Sequence, residues 1–114
     1  MAQHQTQLDD VFLALADPTR RAVIARLGRN EASVSELAAP FEMALPSFMK
    51  HIRVLEDAGL IHTSKHGRVR TCRIDTARLS LIDGWLDEQR RTWEGRTDRL
   101  EQFLLGAQHK DGHR

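Results

Sequence analysis

Ala44-Leu-Pro-Ser-Phe-Met-Lys-His-Ile-Arg-Val-Leu-Glu-Asp-Ala-Gly59 leads directly into Leu60-Ile-His-Thr-Ser-Lys-His-Gly-Arg-Val-Arg-Thr-Cys-Arg-Ile74, and the reading of this stretch decides the fold. Its first half is helical: Phe48, Ile52 and Leu55 recur at helical spacing and form one apolar stripe that must pack on something. Pro46 suits a first turn, where its missing N–H would be an orphan anyway. Gly59 stands where a helix ends in the left-handed conformation that glycine adopts cheaply. Away from the stripe lie Ser47, Lys50, His51 and Arg53, with no acid before Glu56. After Gly59 the period drops to two. Leu60-Ile61 and then Cys72 and Ile74 alternate against Thr71 and Arg73, and His66-Gly67 between them can turn the chain into a hairpin. Lys65, His66, Arg68 and Arg70 crowd its tip.

A helix with one basic face, followed at once by a basic hairpin, is the pattern of a winged helix-turn-helix: mainly α with a small β-hairpin wing. In that fold helix 45–58 enters the major groove of double-stranded DNA and wing 60–74 straddles the adjacent backbone. The charge distribution agrees. Between Leu45 and Ile74 six Lys/Arg stand against two acids, a balance of +4, whereas the rest of the chain carries eleven Lys/Arg and fourteen acids, a balance of −3. The net charge of +1 says nothing by itself. Its concentration marks one electropositive surface on an acidic body, although chance clustering on a solvated face would give the same count.

The 114 residues suffice for a single domain with one modest core. A hydrophobic fraction of 40% and a charged fraction of 29% are those of a soluble globular protein. No charged-then-apolar leader and no apolar run near ~20 residues occurs, so no membrane role and a cytoplasmic location are expected. A single cysteine, Cys72, excludes an intramolecular disulfide and reads as a buried small hydrophobe.

Around the central stretch the chain is ordered as helices. Residues 1–6 are polar and expected to be flexible, as are residues 108–114. Gln7–Leu15 carries Leu8, Val11, Phe12 and Leu15 on one helical face. Asp17-Pro18 restarts the chain as cap and first helical residue, with Ala22, Val23, Ile24 and Leu27 following. Gly28 through Ala32 reads as a loop. Ser33-Val-Ser-Glu36 fits a capping box and opens a short helix ending near Pro40, with Val34, Leu37 and Ala38 inward. Residues 41–44 make the turn of a helix-turn-helix unit. After the hairpin, Asp75-Thr76 starts a long helix of about 77–105, striped by Leu79, Ile82, Leu86, Trp93, Leu100, Phe103 and Leu104. Gly84 and Gly95 in that helix mark a bend or a close crossing.

Taken together, Ala16-Asp-Pro-Thr-Arg-Arg21, Ser33-Val-Ser-Glu-Leu37 and Lys50-His-Ile-Arg-Val-Leu-Glu-Asp-Ala-Gly-Leu60, with the basic wing and long last helix, resemble the ArsR/SmtB-type family of bacterial transcriptional repressors. The resemblance covers roughly Leu8 to Leu104. It implies a homodimer pairing through first and last helices, with two recognition helices on a palindromic operator. Many members sense metals, and one family site uses Cys-x-Cys in the third helix, where this chain has Ser35-Glu-Leu-Ala-Ala39. Another uses Asp and His along the last helix, yet no His occurs between His66 and His109. Zinc and thiophilic metals need several converging N or S ligands, so no metal and no cofactor are expected. Tail residues His109 and His113 would bind metal only adventitiously. The chain looks more like the branch whose last helix carries Trp-Glu-x-Arg-x-Asp-x-Leu, here Trp93 to Leu100.

The expected DNA contacts are Ser47, Lys50, His51 and Arg53 on the helix, with Lys65, Arg68 and Arg70 on the wing. The alternative for each is ordinary solvated surface, and His51 can also pack inward. Met49 stands where many family members carry a small polar residue, so base readout there is apolar, as with a thymine methyl, or absent. Arg20 and Arg21 lie near the expected phosphate path or pair with Asp17. The expected dimer interface comprises Leu8, Phe12, Leu15, Leu86, Trp93, Leu100 and Phe103; the alternative folds Trp93 back on its own domain. No phosphate loop or nucleophile–base pair suggests an enzyme. Two functions therefore compete: a dimeric DNA-binding repressor, and a winged-helix protein-interaction module that does not read DNA. Counterion release gives only the first a steep salt dependence.

Overall fold

Several helix boundaries are set by local chemistry that the sequence carries. The computed structural model describes residues 2–110. Helix α1 (Ala2–Ala14) is followed by α2 (Pro18–Leu27), whose N-cap Asp17 accepts the Arg20 N–H at 3.1 Å. Strand β1 (Ala32–Ser33) runs into α3 (Val34–Ala38) through a complete capping box: Glu36 N–H donates to Ser33 Oγ at 3.1 Å, and Ser33 N–H donates to the Glu36 carboxylate at 2.8 Å. Helix α4 (Leu45–Asp57) has Pro46 in its first turn and no side-chain cap on Ala44. It ends in a Schellman motif. Gly59 adopts φ +77°, its N–H donates to Glu56 O at 2.9 Å, and the Leu60 N–H reaches Leu55 O at 3.0 Å. Leu55 and Leu60, the pair such a motif brings together, are both fully buried.

Strands β2 (Ile61–His66) and β3 (Val69–Ile74) pair antiparallel, with Ile61 opposite Ile74, Thr63 opposite Cys72 and Lys65 opposite Arg70. The turn between them is Gly67-Arg68, one residue later than the expected His66-Gly67, because His66 still pairs with Val69. Gly67 has φ +64°, the left-handed conformation that two-residue hairpin loops require at their first position. A third strand corrects the simple hairpin: β1, expected to end a loop, pairs with β3 through Ala32–Cys72 and Ser33–Thr71 and gives the order β1-β3-β2. The last helix, α5 (Thr76–Lys110), starts where Asp75 accepts the Ala77 N–H at 2.9 Å.

The chain divides into two compact units, one ending at Ile82 and one starting at Asp83. The first unit has a core of Val11, Val23, Leu27, Leu37, Phe48, Ile52, Leu55, Leu60, Ile61 and Cys72, with Leu79 and Ile82 packed on its edge. Cys72 is fully buried, as expected. Burial pushes its thiol up, the Glu56 charge adds to this and Arg70 opposes it, so the thiolate needed for reactivity is disfavoured. On α1 the deeply buried residues are Val11 and Ala14, while Leu8, and Leu15 just past the helix end, are half-buried and Phe12 is 40% exposed. Ala22 is exposed rather than inward. Helix α1 begins at Ala2, so most of the expected flexible 1–6 segment is helical, and α5 runs to Lys110, five residues beyond the expected end. The side chain of His109 and all of His113 lie outside the described residues.

The second unit is the remainder of α5. Trp93, Leu100 and Phe103 are exposed along it, and Leu86 is half-buried. A Cβ added at Gly84 would meet no atom within 4 Å, and one at Gly95 only the Arg99 side chain at 3.6 Å. Among the described residues no close crossing accounts for either glycine.

Candidate nucleic-acid interface

Helix α4 is held from one side and open on the other. Phe48, Ile52 and Leu55 are buried, and the Phe48 ring packs on Phe41 with centroids 5.6 Å apart. Ser47, Lys50 and Arg53 are exposed on the rest of the helix, where they can reach a ligand without leaving the core. The C-terminal end is fixed by Arg78, which donates to Ala58 O at 3.1 Å and lies over Gly59. A cation at that end also complements the helix dipole.

His51 differs from its neighbours. It is half-buried, and its Nδ1 lies 3.1 Å from an Arg20 guanidinium nitrogen and 3.7 Å from Asp17. Since the guanidinium can only donate, Nδ1 acts as acceptor in this contact. The same Arg20 donates to Ala14 O at 2.6 Å and Leu13 O at 3.2 Å, and Arg21 donates to Leu15 O at 2.8 Å. These carbonyls lie at and just past the end of α1, where Leu13 O also accepts the Ala16 N–H at 3.2 Å. Ala16-Asp-Pro-Thr-Arg-Arg21 thus closes one helix, opens the next and steadies α4 through His51. Neither guanidinium pairs with the Asp17 side chain; the Arg20 backbone N–H does. Burial pushes the Asp17 carboxyl up, but the Arg20 N–H and the neighbouring His51 and Arg20 side chains bring it below the usual value.

The wing divides its cations in a similar way. Lys65 and Arg68 are exposed at the tip, whereas half-buried Arg70 donates to Thr63 Oγ1 at 3.2 Å, and that hydroxyl donates to Glu56 at 2.8 Å. Arg70 therefore ties β3 to β2, and through Thr63 to α4. Lys65 and Arg70 stand directly opposite each other on one face of the hairpin. Like charges so placed are mutually unfavourable unless an anion lies between or above them. At the other end of β2, His62 Nε2 sits 2.5 Å from the Asp75 carboxylate. The Ala77 N–H first, and then His62, hold that carboxyl below its usual value.

Between wing and helix lies a groove of about 360 Å³, lined by Val34, Leu45, Met49, Val69, Arg68 and Arg70 among others. The fold thus brings six expected contacts, Ser47, Lys50, Arg53, Lys65, Arg68 and Arg70, onto α4 and the wing beside it, with Arg70 partly engaged. The seventh, His51, is turned toward α2. Sequence reasoning missed Arg78, the Thr63–Glu56 bridge and the apolar lining of the groove. Among the described residues no group of three or more His, Cys, Asp or Glu could hold a metal ion, and no helix is long and apolar enough to cross a membrane.

Comparison with known proteins agrees with this geometry. A family described as a helix-turn-helix domain matches residues 15–64. The crystal structure of an ArsR-family transcriptional regulator superposes with a TM-score of 0.77 at 60% identity, covering 79% of this chain and 93% of that one. The HTH-type transcriptional regulator YuzN of Bacillus subtilis is 33% identical over 69% of this chain and 95% of its own length. The transcriptional repressor SdpR of the same organism is 27% identical over 69% of this chain and 88% of its own. The winged fold, the open basic face and these relatives agree: the chain belongs to the ArsR family of helix-turn-helix transcriptional regulators, which bind DNA and are not enzymes.

Proposed function

We propose that two copies of the chain pair through α1 and the later turns of α5, and that the dimer represses transcription by occupying a palindromic operator. Lys50 and Ser47 read base edges in the major groove, while Arg53, Lys65, Arg68 and Arg70 hold the phosphate backbone. His51 acts by setting the pose of α4. The observation that carries this reading is the Lys65–Arg70 pair beside the exposed cations of α4, which presents positive charge with too few acids nearby to neutralise it. Pairing is supported by Trp93, Leu100 and Phe103, which are 51%, 59% and 73% exposed on one helix. The repressor reading follows the likeness to SdpR, and the site of action is the cytoplasm, where bacterial chromosomal DNA lies. No metal takes part, because neither ligand set of the metal-sensing relatives is present in the sequence.

The test is selection of bound duplexes from a random pool, followed by binding measured across salt concentrations. Recovery of a palindrome with half-sites one helical turn apart, bound with a steep salt slope, is the expected result. Selection of no sequence, or binding indifferent to salt, would overturn it.

A further inference from the structure

Val34, Leu45, Met49 and Val69 line the groove between wing and recognition helix beside Ser33, Ser35, Arg68 and Arg70, where a purely phosphate-binding surface would be polar throughout. Leu45 is 56% exposed in the first turn of α4, and Val69 is 53% exposed where β3 begins. Met49 follows Leu45 by four residues, so both project from the same side of the helix. Lys50 comes next, about 100° round the helix, and Arg68 and Arg70 close the opposite wall. Met49 is half-buried against the edge of the core, whereas Leu45 and Val69, held in water beside guanidinium groups, gain little within the chain. They gain if the partner carries an apolar spot within a strongly anionic surface. Base edges of duplex DNA in the major groove offer one such spot, the 5-methyl group of thymine; the minor groove offers none.

Building on the DNA-reading role of α4, we propose that Leu45 and Met49, with Val69 behind them, form an apolar reading edge for thymine methyl groups. Lys50 then discriminates by polar contact on one side of the helix, and the Leu45–Met49 edge discriminates by burying a methyl on the other. This explains how a recognition helix with few polar side chains in its first turn can still be selective. Ala44, Leu45 and Pro46 offer no side-chain hydrogen bond there.

The experiment replaces each thymine of a selected operator by deoxyuridine, one at a time, which removes the methyl group alone. Burying one such carbon is worth ~0.8 kcal/mol, a factor of about fourfold in affinity. Wild-type protein should bind about fourfold more weakly when the critical thymine of one half-site is replaced, with an unchanged salt slope. Leu45→Ala should lose that discrimination at one position while keeping its fold, since the side chain is mostly exposed. Met49→Ala provides the second variant. Equal binding of thymine and uracil operators at every position by wild-type protein would overturn the inference and leave the groove to another occupant. So would full discrimination retained by both variants. Failure to select any duplex would instead overturn the DNA-reading role beneath it, so the two failures are distinguishable.

Discussion

At the scale of single residues, the cations divide into those that are free and those already employed. Lys50 is exposed, and among the described residues no hydrogen bond or ion pair fixes its amine, so its interaction energy is reserved for a ligand. Lys50→Ala should cost ~1–3 kcal/mol on the selected operator and less on random DNA; an unchanged ratio in competition binding would remove it from the readout. Arg68 at the wing tip should behave differently. Arg68→Ala should weaken binding to all sequences alike and lower the salt slope by ~1. Asp75 is a residue of a third kind, concerned with stability. Its folded carboxyl is held low by the Ala77 N–H and by His62. A depressed carboxyl stabilises above its unfolded pKa, about 3.9, and the contribution disappears as pH falls through the lower folded value. The gap in urea midpoint between wild type and Asp75→Ala should therefore be constant near neutrality and shrink below about pH 4.

Elements were legible in the sequence wherever their signals were local. Capping box, Asp-Pro restart and Gly59 stop are each set within a few residues, and each stands where expected. Strand β1 was not legible. It is two residues long and exists only because Cys72 and Thr71, some forty residues later, supply its hydrogen bonds. The turn moved by one residue for a related reason, since register is decided by pairing across the whole hairpin. For His51 the sequence left both groove contact and inward packing open, because its neighbour Arg20 lies on another helix and periodicity on α4 says nothing about it. The Schellman end of α4 offers a test at this scale. At Gly59 a side chain would suffer both the left-handed backbone and a clash with Arg78 at 2.9 Å. Gly59→Ala should cost about 1–2 kcal/mol by chemical denaturation, with the folded fraction retaining wild-type operator preference.

At the scale of the whole molecule, the last helix poses the main question. Leu86, Trp93 and Leu100 fall seven residues apart, the spacing of a helix-on-helix seam. Such a stripe was visible in the sequence, but its cover was not, because a periodic stripe does not say what packs on it. Pairing predicts that Trp93→Asp, which would bury a charge in that seam, sediments as a monomer and loses operator binding while keeping most helical content. A variant that stays dimeric with normal binding would sink the assignment. The same feature bears on the protein's lifetime. Helices in proteins draw most of their stability from packing of an amphipathic face, and Arg90, Arg91, Arg96 and Arg99 line this one with tryptic sites. Trypsin should therefore cut α5 faster as the protein is diluted below its pairing constant, and more slowly once operator DNA is added. In a cell, surplus copies without a partner would be the first degraded, and the supply of regulator would trim itself toward the number of sites it has to fill.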